Sequence, residues 1–229
     1  MQGVDMAQEH NLAFLKRVPL LASLSEAQLE TLAASTVRRN FAKGRTIVSE
    51  GDSSQALYYL LSGRAKVQRT DAEGKEVILA VLGPGEFFGE MSLIDDEPRS
   101  ASVVTLSPCD FLAIGKEQFN ALMLGSNDIC QAVMRGLVAR LREADRKIET
   151  LALLDVYGRV ARVLLDFSED IDGEKVVPMK VPRQEIAKMI GASREMVSRV
   201  MKGLELDGFI VPLENGKLAL RDKIRSYLH

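Results

Sequence analysis

Residues 181–210 read Val181-Pro-Arg-Gln-Glu-Ile-Ala-Lys-Met-Ile-Gly-Ala-Ser-Arg-Glu-Met-Val-Ser-Arg-Val-Met-Lys-Gly-Leu-Glu-Leu-Asp-Gly-Phe-Ile210. Ile186, Ile190, Val197, Val200, Met201 and Leu204 fall at helical spacing on either side of Gly191-Ala192. Glycine suits the tight turn and serine is a preferred N-cap. The spacing therefore predicts a helix from Arg183 to Ile190, a turn, and a second helix that starts at Ser193 and ends near Asp207-Gly208. That is a helix-turn-helix. Downstream, Phe209–Val211 and Leu218–Leu220 flank Asn215-Gly216, a strong hairpin signal, which adds a wing.

The second helix carries chemistry on the face away from its apolar residues. Arg194, Glu195 and Arg199 occupy its first two turns. A recognition helix enters the major groove with its early residues at the base edges. There arginine forks onto guanine O6 and N7, and glutamate accepts from the cytosine amino group. From Arg183 to Lys202 five basic residues face two acidic ones, the footprint of one DNA-reading unit. Lys188 and Lys202 are expected at phosphates or in solvent.

Upstream, Val156–Phe167 is amphipathic and helical, and Ser168–Glu174 is an acidic hairpin or linker. From Ser126 a long helix is expected. Cys130, Met134, Leu137, Leu141, Ala144, Ile148 and Leu151 alternate by four and three, the heptad seam of a coiled coil. Val133 and Val138 flank the seam and are expected to pack on the helix's own domain, which leaves the seam for a twin in a parallel homodimer.

Residues 37–115 differ in character. Glycines 44, 51, 63, 74, 83, 85 and 89 punctuate short apolar runs at Thr46–Ser49, Ala56–Leu61, Ala65–Arg69, Val77–Leu82, Ala101–Val104 and Phe111–Ile114. Short strands with glycine turns predict a closed antiparallel barrel or roll. Ahead of them, Ser25 caps a short helix with Leu29, Leu32 and Ala33 on one face, and residues 1–20 read as a tail and lead-in. Within this region residues 87–103 are too polar for a plain core strand. They set Gly89-Glu90 a short span before Arg99-Ser100. A carboxylate accepts from a sugar hydroxyl, a guanidinium forks onto phosphate, and an adjacent hydroxyl adds a donor. A cyclic nucleotide offers both partners in compact form. A turn with a surface ion pair is the plainer alternative.

A length of 229 residues fits two domains, and 46% hydrophobic residues supply real cores. The net charge of −2 shows no global basic excess. Cys109 and Cys130 have no metal-ligand spacing and form no disulfide framework, so a cytoplasmic location is expected. No signal-type core or membrane-length apolar run is seen, so no membrane association is expected.

These motifs, in this order, resemble the cyclic-AMP receptor/FNR family of bacterial transcription regulators. The likeness rests on Phe88-Gly-Glu-Met-Ser-Leu through Pro98-Arg-Ser-Ala, on Arg183-Gln-Glu-Ile with Ser193-Arg-Glu-Met-Val-Ser-Arg, and on the hinge-like Leu151-Ala-Leu-Leu-Asp-Val-Tyr-Gly-Arg-Val. It implies an α+β chain with three parts. Residues 1–125 would form an N-terminal helix and a cyclic-nucleotide-binding β-roll of jelly-roll type. Residues 126–154 would be the dimerisation helix and hinge, and residues 155–229 the winged helix-turn-helix.

The resemblance also implies roles. Glu90, with the Gly89 backbone and Met91 beside it, would take the ribose hydroxyl, and Arg99 and Ser100 the cyclic phosphate. Arg194, Glu195 and Arg199, behind the Ser193 cap, would read a TGTGA-like half-site, and Arg183 and Gln184 would touch phosphates. The family's adenine-contacting Thr-Ser pair is replaced by Ala144 and Asp145. An ionised carboxylate only accepts, and guanine offers two adjacent donors, so cyclic GMP or cyclic di-GMP stands beside cyclic AMP as effector. Asp145 pointing to solvent is the alternative. The cysteine cluster of iron–sulfur members is absent, and the histidines, His10 and His229, lie near the chain ends, so no metal and no cofactor beyond the effector is expected. Expected partners are double-stranded DNA, RNA polymerase (Glu169–Glu174 being a candidate contact on position) and a second copy. Three competitors remain: a nucleotide-sensing module that acts on a protein partner; an enzyme, for which no base–nucleophile constellation is found; and a ligand-independent regulator with a relic pocket, against which the retained Glu90 and Arg99 argue.

Overall fold

The computed structural model describes residues 11–16, 18, 21, 24–53 and 55–228. The expectations for residues 1–10, which include His10, and for His229 lie outside the described residues. The chain divides into two compact units, one ending at Ala139 and the other beginning at Arg140.

In the first unit, α1 (Glu26–Ser35) starts at a full capping box. The Ser25 hydroxyl accepts from the Gln28 amide, and the Gln28 side chain accepts from the Ser25 amide at 2.9 Å. Eight strands follow: β1 (Val37–Phe41), β2 (Thr46–Val48), β3 (Ala56–Ser62), β4 (Ala65–Thr70), β5 (Glu76–Leu82), β6 (Phe87–Phe88), β7 (Ser102–Thr105) and β8 (Cys109–Gly115). A short helix, α2 (Met91–Ile94), interrupts them after β6. They form two four-stranded antiparallel sheets, ordered β1-β8-β3-β6 and β2-β7-β4-β5. Sequence reasoning missed β1, whose Val-Arg-Arg-Asn-Phe has no apolar run, and β6, which is only two residues long.

Period-2 alternation explains how the first sheet is buried on both faces. Leu60, Phe88 and Phe111 point between the sheets with Val48, Ala65, Leu82 and Val103. Leu57, Tyr59, Phe87 and Leu112 point the other way, against Leu29, Leu32, Phe119, Ile129 and Val133. Phe119 belongs to α3 (Lys116–Gly125), and Ile129 and Val133 to α4 (Asn127–Leu153).

The expectation for Val138 is corrected. Val133 is buried at 1% exposure, but Val138 is 49% exposed. The inward face of α4 runs through Ile129, Val133 and Gly136. A Cβ on Gly136 would sit 2.8 Å from the Phe87 ring, so the missing side chain is what lets that ring lie against the helix. Val138 falls on another side. The seam residues Met134, Leu141, Ile148 and Leu151 are all exposed in the single chain.

The second unit contains the end of α4, then α5 (Val156–Asp166), β9 (Glu169–Ile171), β10 (Glu174–Val177), α6 (Arg183–Ile190), α7 (Arg194–Leu206), β11 (Ile210–Pro212) and β12 (Leu218–Leu220). Asp172 and Gly173 both have positive φ, 54° and 81°, and close a two-residue hairpin between β9 and β10. The acidic segment is therefore a hairpin and not a linker. The strand β10 goes on to pair with β12, so the wing is the edge of a four-stranded sheet ordered β11-β12-β10-β9. Asn215 and Gly216, also at positive φ, lie in the turn between β11 and β12, closed by Leu213 N donating to Lys217 O at 2.9 Å. Val160, Leu164, Val177, Ile186, Val197, Val200, Leu204 and Ile210 form the core.

Candidate ligand pocket and nucleic-acid interface

The candidate pocket begins where β6 runs out. Gly89 has φ +92°, a conformation that side chains avoid. A Cβ there would collide with the Arg99 guanidinium and lie 2.6 Å from the Ala56 carbonyl. Glycine is thus needed twice, for backbone shape and for space. Next comes Glu90, 1% exposed, at the start of α2. Ten residues after Gly89, Arg99 is 5% exposed. Its Nη1 donates to Gly89 O at 2.7 Å and its Nη2 to Ala56 O at 2.6 Å. The main chain around Arg99 is itself held: Arg99 N donates to Asp52 O at 2.9 Å, and Gly51 N donates to Arg99 O at 2.8 Å.

Burial pushes the Arg99 guanidinium below its usual pKa, and the neighbouring Tyr58, Glu90 and Asp52 oppose that shift. Glu90 and Arg99 are therefore a buried acid and a buried base within electrostatic reach of one another. A buried guanidinium fork is suited to an anion with paired oxygens. Met91 and Ser100 flank the pair and are exposed. Ala144 and Asp145 lie in the second unit, exposed on α4. Of the residues expected at the pocket, Gly89, Glu90 and Arg99 lie together; the Ala56 and Asp52 carbonyls that fix Arg99 were not expected. Main-chain acceptors leave no mark on residue type. Asp96, held at φ 61° and paired with Lys116, was not expected either.

In the second unit Gly191 ends α6 in the left-handed conformation, at φ 66°. Two residues on, the Ser193 hydroxyl accepts from the Met196 amide at 3.1 Å and caps α7. This geometry fixes which way α7 faces. Val197, Val200, Met201 and Leu204 are buried, and Arg194, Glu195, Arg199 and Lys202 are exposed. Arg183 and Gln184 are exposed at the start of α6. Lys188 differs from expectation. It is half-buried with its Nζ 3.9 Å from Glu185, because position 188 turns partly toward the core that Ile186, Ala187 and Ile190 enter. Among the described residues no group of three or more His, Cys, Asp or Glu is placed to hold a metal, and no helix is long and apolar enough to cross a membrane.

Residues 38–126 match the cyclic nucleotide-binding domain, and residues 158–224 match the Crp-like helix-turn-helix domain. The chain is 36% identical over 189 residues to the cAMP-activated global transcriptional regulator Vfr of Pseudomonas aeruginosa, covering 80% of this chain and 88% of that one. It is also 36% identical over 208 residues to the cyclic AMP receptor protein of Thermus thermophilus, covering 91% and 94%. The solved structure of the c-di-GMP responsive global regulator CLP of Xanthomonas campestris is similar at a TM-score of 0.73 with 30% identity, covering 86% of this chain and 99% of that one. With a nucleotide-binding roll followed by a winged helix-turn-helix, and more than a third of the aligned positions shared with these two regulators, the chain belongs to the cyclic-AMP receptor/FNR family of transcription regulators.

Proposed function

We propose that the chain is a dimeric, ligand-gated transcription regulator that binds a cyclic nucleotide in its N-terminal unit and a palindromic TGTGA-like operator with its C-terminal unit. The observation that carries this reading is the buried pair Glu90 and Arg99 behind the left-handed Gly89. Arg99 and Ser100 take the cyclic phosphate, Glu90 accepts from the ribose hydroxyl, and the backbone at Gly89 and Met91 approaches the sugar. Arg194, Glu195 and Arg199 read base edges, and Arg183, Gln184 and Ser193 sit at the phosphates. Residues 1–125 sense, 126–154 dimerise and 155–229 bind DNA. The exposed acidic hairpin of β9 and β10 is the surface offered to RNA polymerase. The regulators named for cyclic AMP, at 36% identity, support cyclic AMP as effector.

A second reading has its own observation. Ala144 and Asp145 stand where the family's adenine-contacting hydroxyls are expected, and a carboxylate suits the paired donors of guanine. The effector is then cyclic di-GMP or cyclic GMP, a reading supported by the likeness to a c-di-GMP responsive regulator.

The test is calorimetry with cyclic AMP, cyclic GMP and cyclic di-GMP side by side, followed by operator affinity with and without whichever binds. A true effector changes operator affinity, and by reciprocity operator DNA changes effector affinity by the same factor. Binding by none of the three sinks the proposal, as does a bound nucleotide that leaves operator affinity unchanged. Asp145→Ala separates the two readings, because it weakens a guanine ligand and spares an adenine one.

A further inference from the structure

The join between α4 and the DNA-reading motif is built around one side chain. Asp155 caps α5 by accepting from the Gly158 amide at 2.8 Å. At Gly158 a Cβ would lie 2.6 Å from Tyr227 O and 3.1 Å from the Leu154 Cβ, so only a glycine lets the chain pass this close to the Tyr227 carbonyl and the Leu154 side chain. The next residue is Arg159, half-buried. Its Nη2 donates to Leu151 O at 2.8 Å and its Nε to Leu154 O at 3.0 Å. Its Nη1 donates to Ile190 O at 3.4 Å.

The three acceptors are of one kind. Leu151 lies in the last turn of α4, Leu154 follows that helix, and Ile190 is the last residue of α6. The closing carbonyls of a helix have no partner inside it and carry the negative end of its dipole. One guanidinium therefore serves two helix C-termini at once, with donors in a fixed plane. A lysine in its place would supply a charge but no such plane. Ile190 is also three residues from the Ser193 cap at which α7 starts. The direction in which the seam-bearing helix ends is thereby tied to the direction in which the base-facing helix begins.

We infer that Arg159 is a positioning residue that locks the HTH motif to the end of α4 and so sets the spacing between the two half-sites a dimer accepts. It touches neither effector nor base. The inference rests on the reading that the chain binds a palindrome as a dimer, and it has a readout separate from that reading. Two recognition helices must reach successive major grooves, about 34 Å apart, so a rigid join penalises any other spacing.

The experiment measures the affinity of the full-length dimer, with bound effector, for the operator and for operators with one base pair inserted or deleted at the centre. Wild type is expected to lose about tenfold or more on either change. Arg159→Lys and Arg159→Gln are expected to discriminate by less than threefold, with sedimentation still showing a dimer and effector affinity within twofold of wild type. Arg159→Lys keeps the charge, and it decides the matter if Arg159→Gln does not fold. Wild-type discrimination retained in Arg159→Lys overturns the inference. A wild type that binds no palindrome at all defeats the functional reading instead.

Discussion

The Arg99 guanidinium donates to the Gly89 carbonyl at 2.7 Å, so the cation of the pocket and the glycine that shapes it form one unit. The second donor, to Ala56 O, ties both to the start of β3. The cation is thus oriented by the fold through Gly89 O and Ala56 O, and under the proposed function a phosphate would meet a guanidinium held in place in advance. Orienting it in advance reduces the entropy lost on binding.

From this follows the first prediction. Arg99→Leu should lower effector affinity by about 30-fold or more, because losing one member of a buried hydrogen-bonded charge pair costs about 2–5 kcal/mol. Gly89→Ala should do comparable damage by displacing the guanidinium while leaving Arg99 present. Ser100→Ala removes one exposed hydroxyl and should cost only about 0.5–1.5 kcal/mol. Calorimetry on the three variants, with circular dichroism as a check of the fold, tests this order. An Arg99→Leu protein that is folded and binds normally would remove the pocket assignment.

The second prediction concerns the seam. Leu141 is 63% exposed in the single chain and sits midway along the heptad run. Leu141→Asp would bury a charge where two helices meet, a cost that ionic partners must offset. The variant should sediment as a monomer, or as a dimer weakened by at least about 100-fold, if burial of the carboxylate costs about 3 kcal/mol. Leu153→Asp is the control. Its side chain is 74% exposed, and it lies off the four-three alternation. An intact dimer in Leu141→Asp would mean that the twin packs elsewhere.

The sequence was informative where chemistry and backbone shape coincide. Gly191 and Ser193 marked the turn and the cap because each residue type answers a specific conformational need, and the helices begin and end there. Gly89 with Glu90, and Arg99, stood out because a glycine, an acid and a base are unusual in a strand-rich run. Elements held by their neighbours were harder to read. Strand β1 carries two adjacent arginines, and Arg38 pairs with Asp110 of β8 while lying over the Phe14 ring. The pairing makes the strand; its own residues do not predict it. Val138 misled because flanking a seam says nothing of which side faces the roll. In the sequence Arg159 is only one residue of a hinge-like block, because the partners that give it a role are main-chain carbonyls.

A third prediction follows from Asp166, at the end of α5. Asp166 keeps an exposed face, yet partial desolvation by the side chains around it raises its carboxyl above the usual range, and Glu143 adds to the effect, while Arg162, Lys147 and Arg146 oppose it. A raised pKa means that the folded chain holds this proton more tightly than the unfolded chain. The contribution of the group to stability is therefore fully present below the ordinary aspartate range and is lost as pH rises through the shifted value. Because water screens the exposed face of the carboxylate, Asp166→Asn should raise the melting temperature only slightly near pH 7 and leave it unchanged near pH 3.5. A variant destabilised at both pH values would mean that the charged form is the one the fold prefers.

The last prediction concerns how the exposed face of α7 divides its work. Arg194 and Arg199 lie exposed in the first two turns behind the Ser193 cap, and the proposed function has each fork onto a guanine. Their loss should cost about 1–3 kcal/mol against the cognate base pair and relax selection at that one position. Lys202 is exposed one turn further on, where in the proposed docking the helix would leave the groove. Lys202→Ala should weaken all sequences alike and reduce the slope of log K against log salt by about 0.9. Lys188 is held near Glu185, and its replacement should leave that slope unchanged. Ser193→Ala is a different kind of variant. It removes a cap worth about 0.5–2 kcal/mol, so it should lower thermal stability and reduce affinity without changing which bases are preferred. Selection experiments with a randomised half-site, run at two salt concentrations, separate these effects. The base-reading assignment fails if Arg194→Ala and Arg199→Ala weaken every sequence equally, since both arginines would then be bound to phosphates.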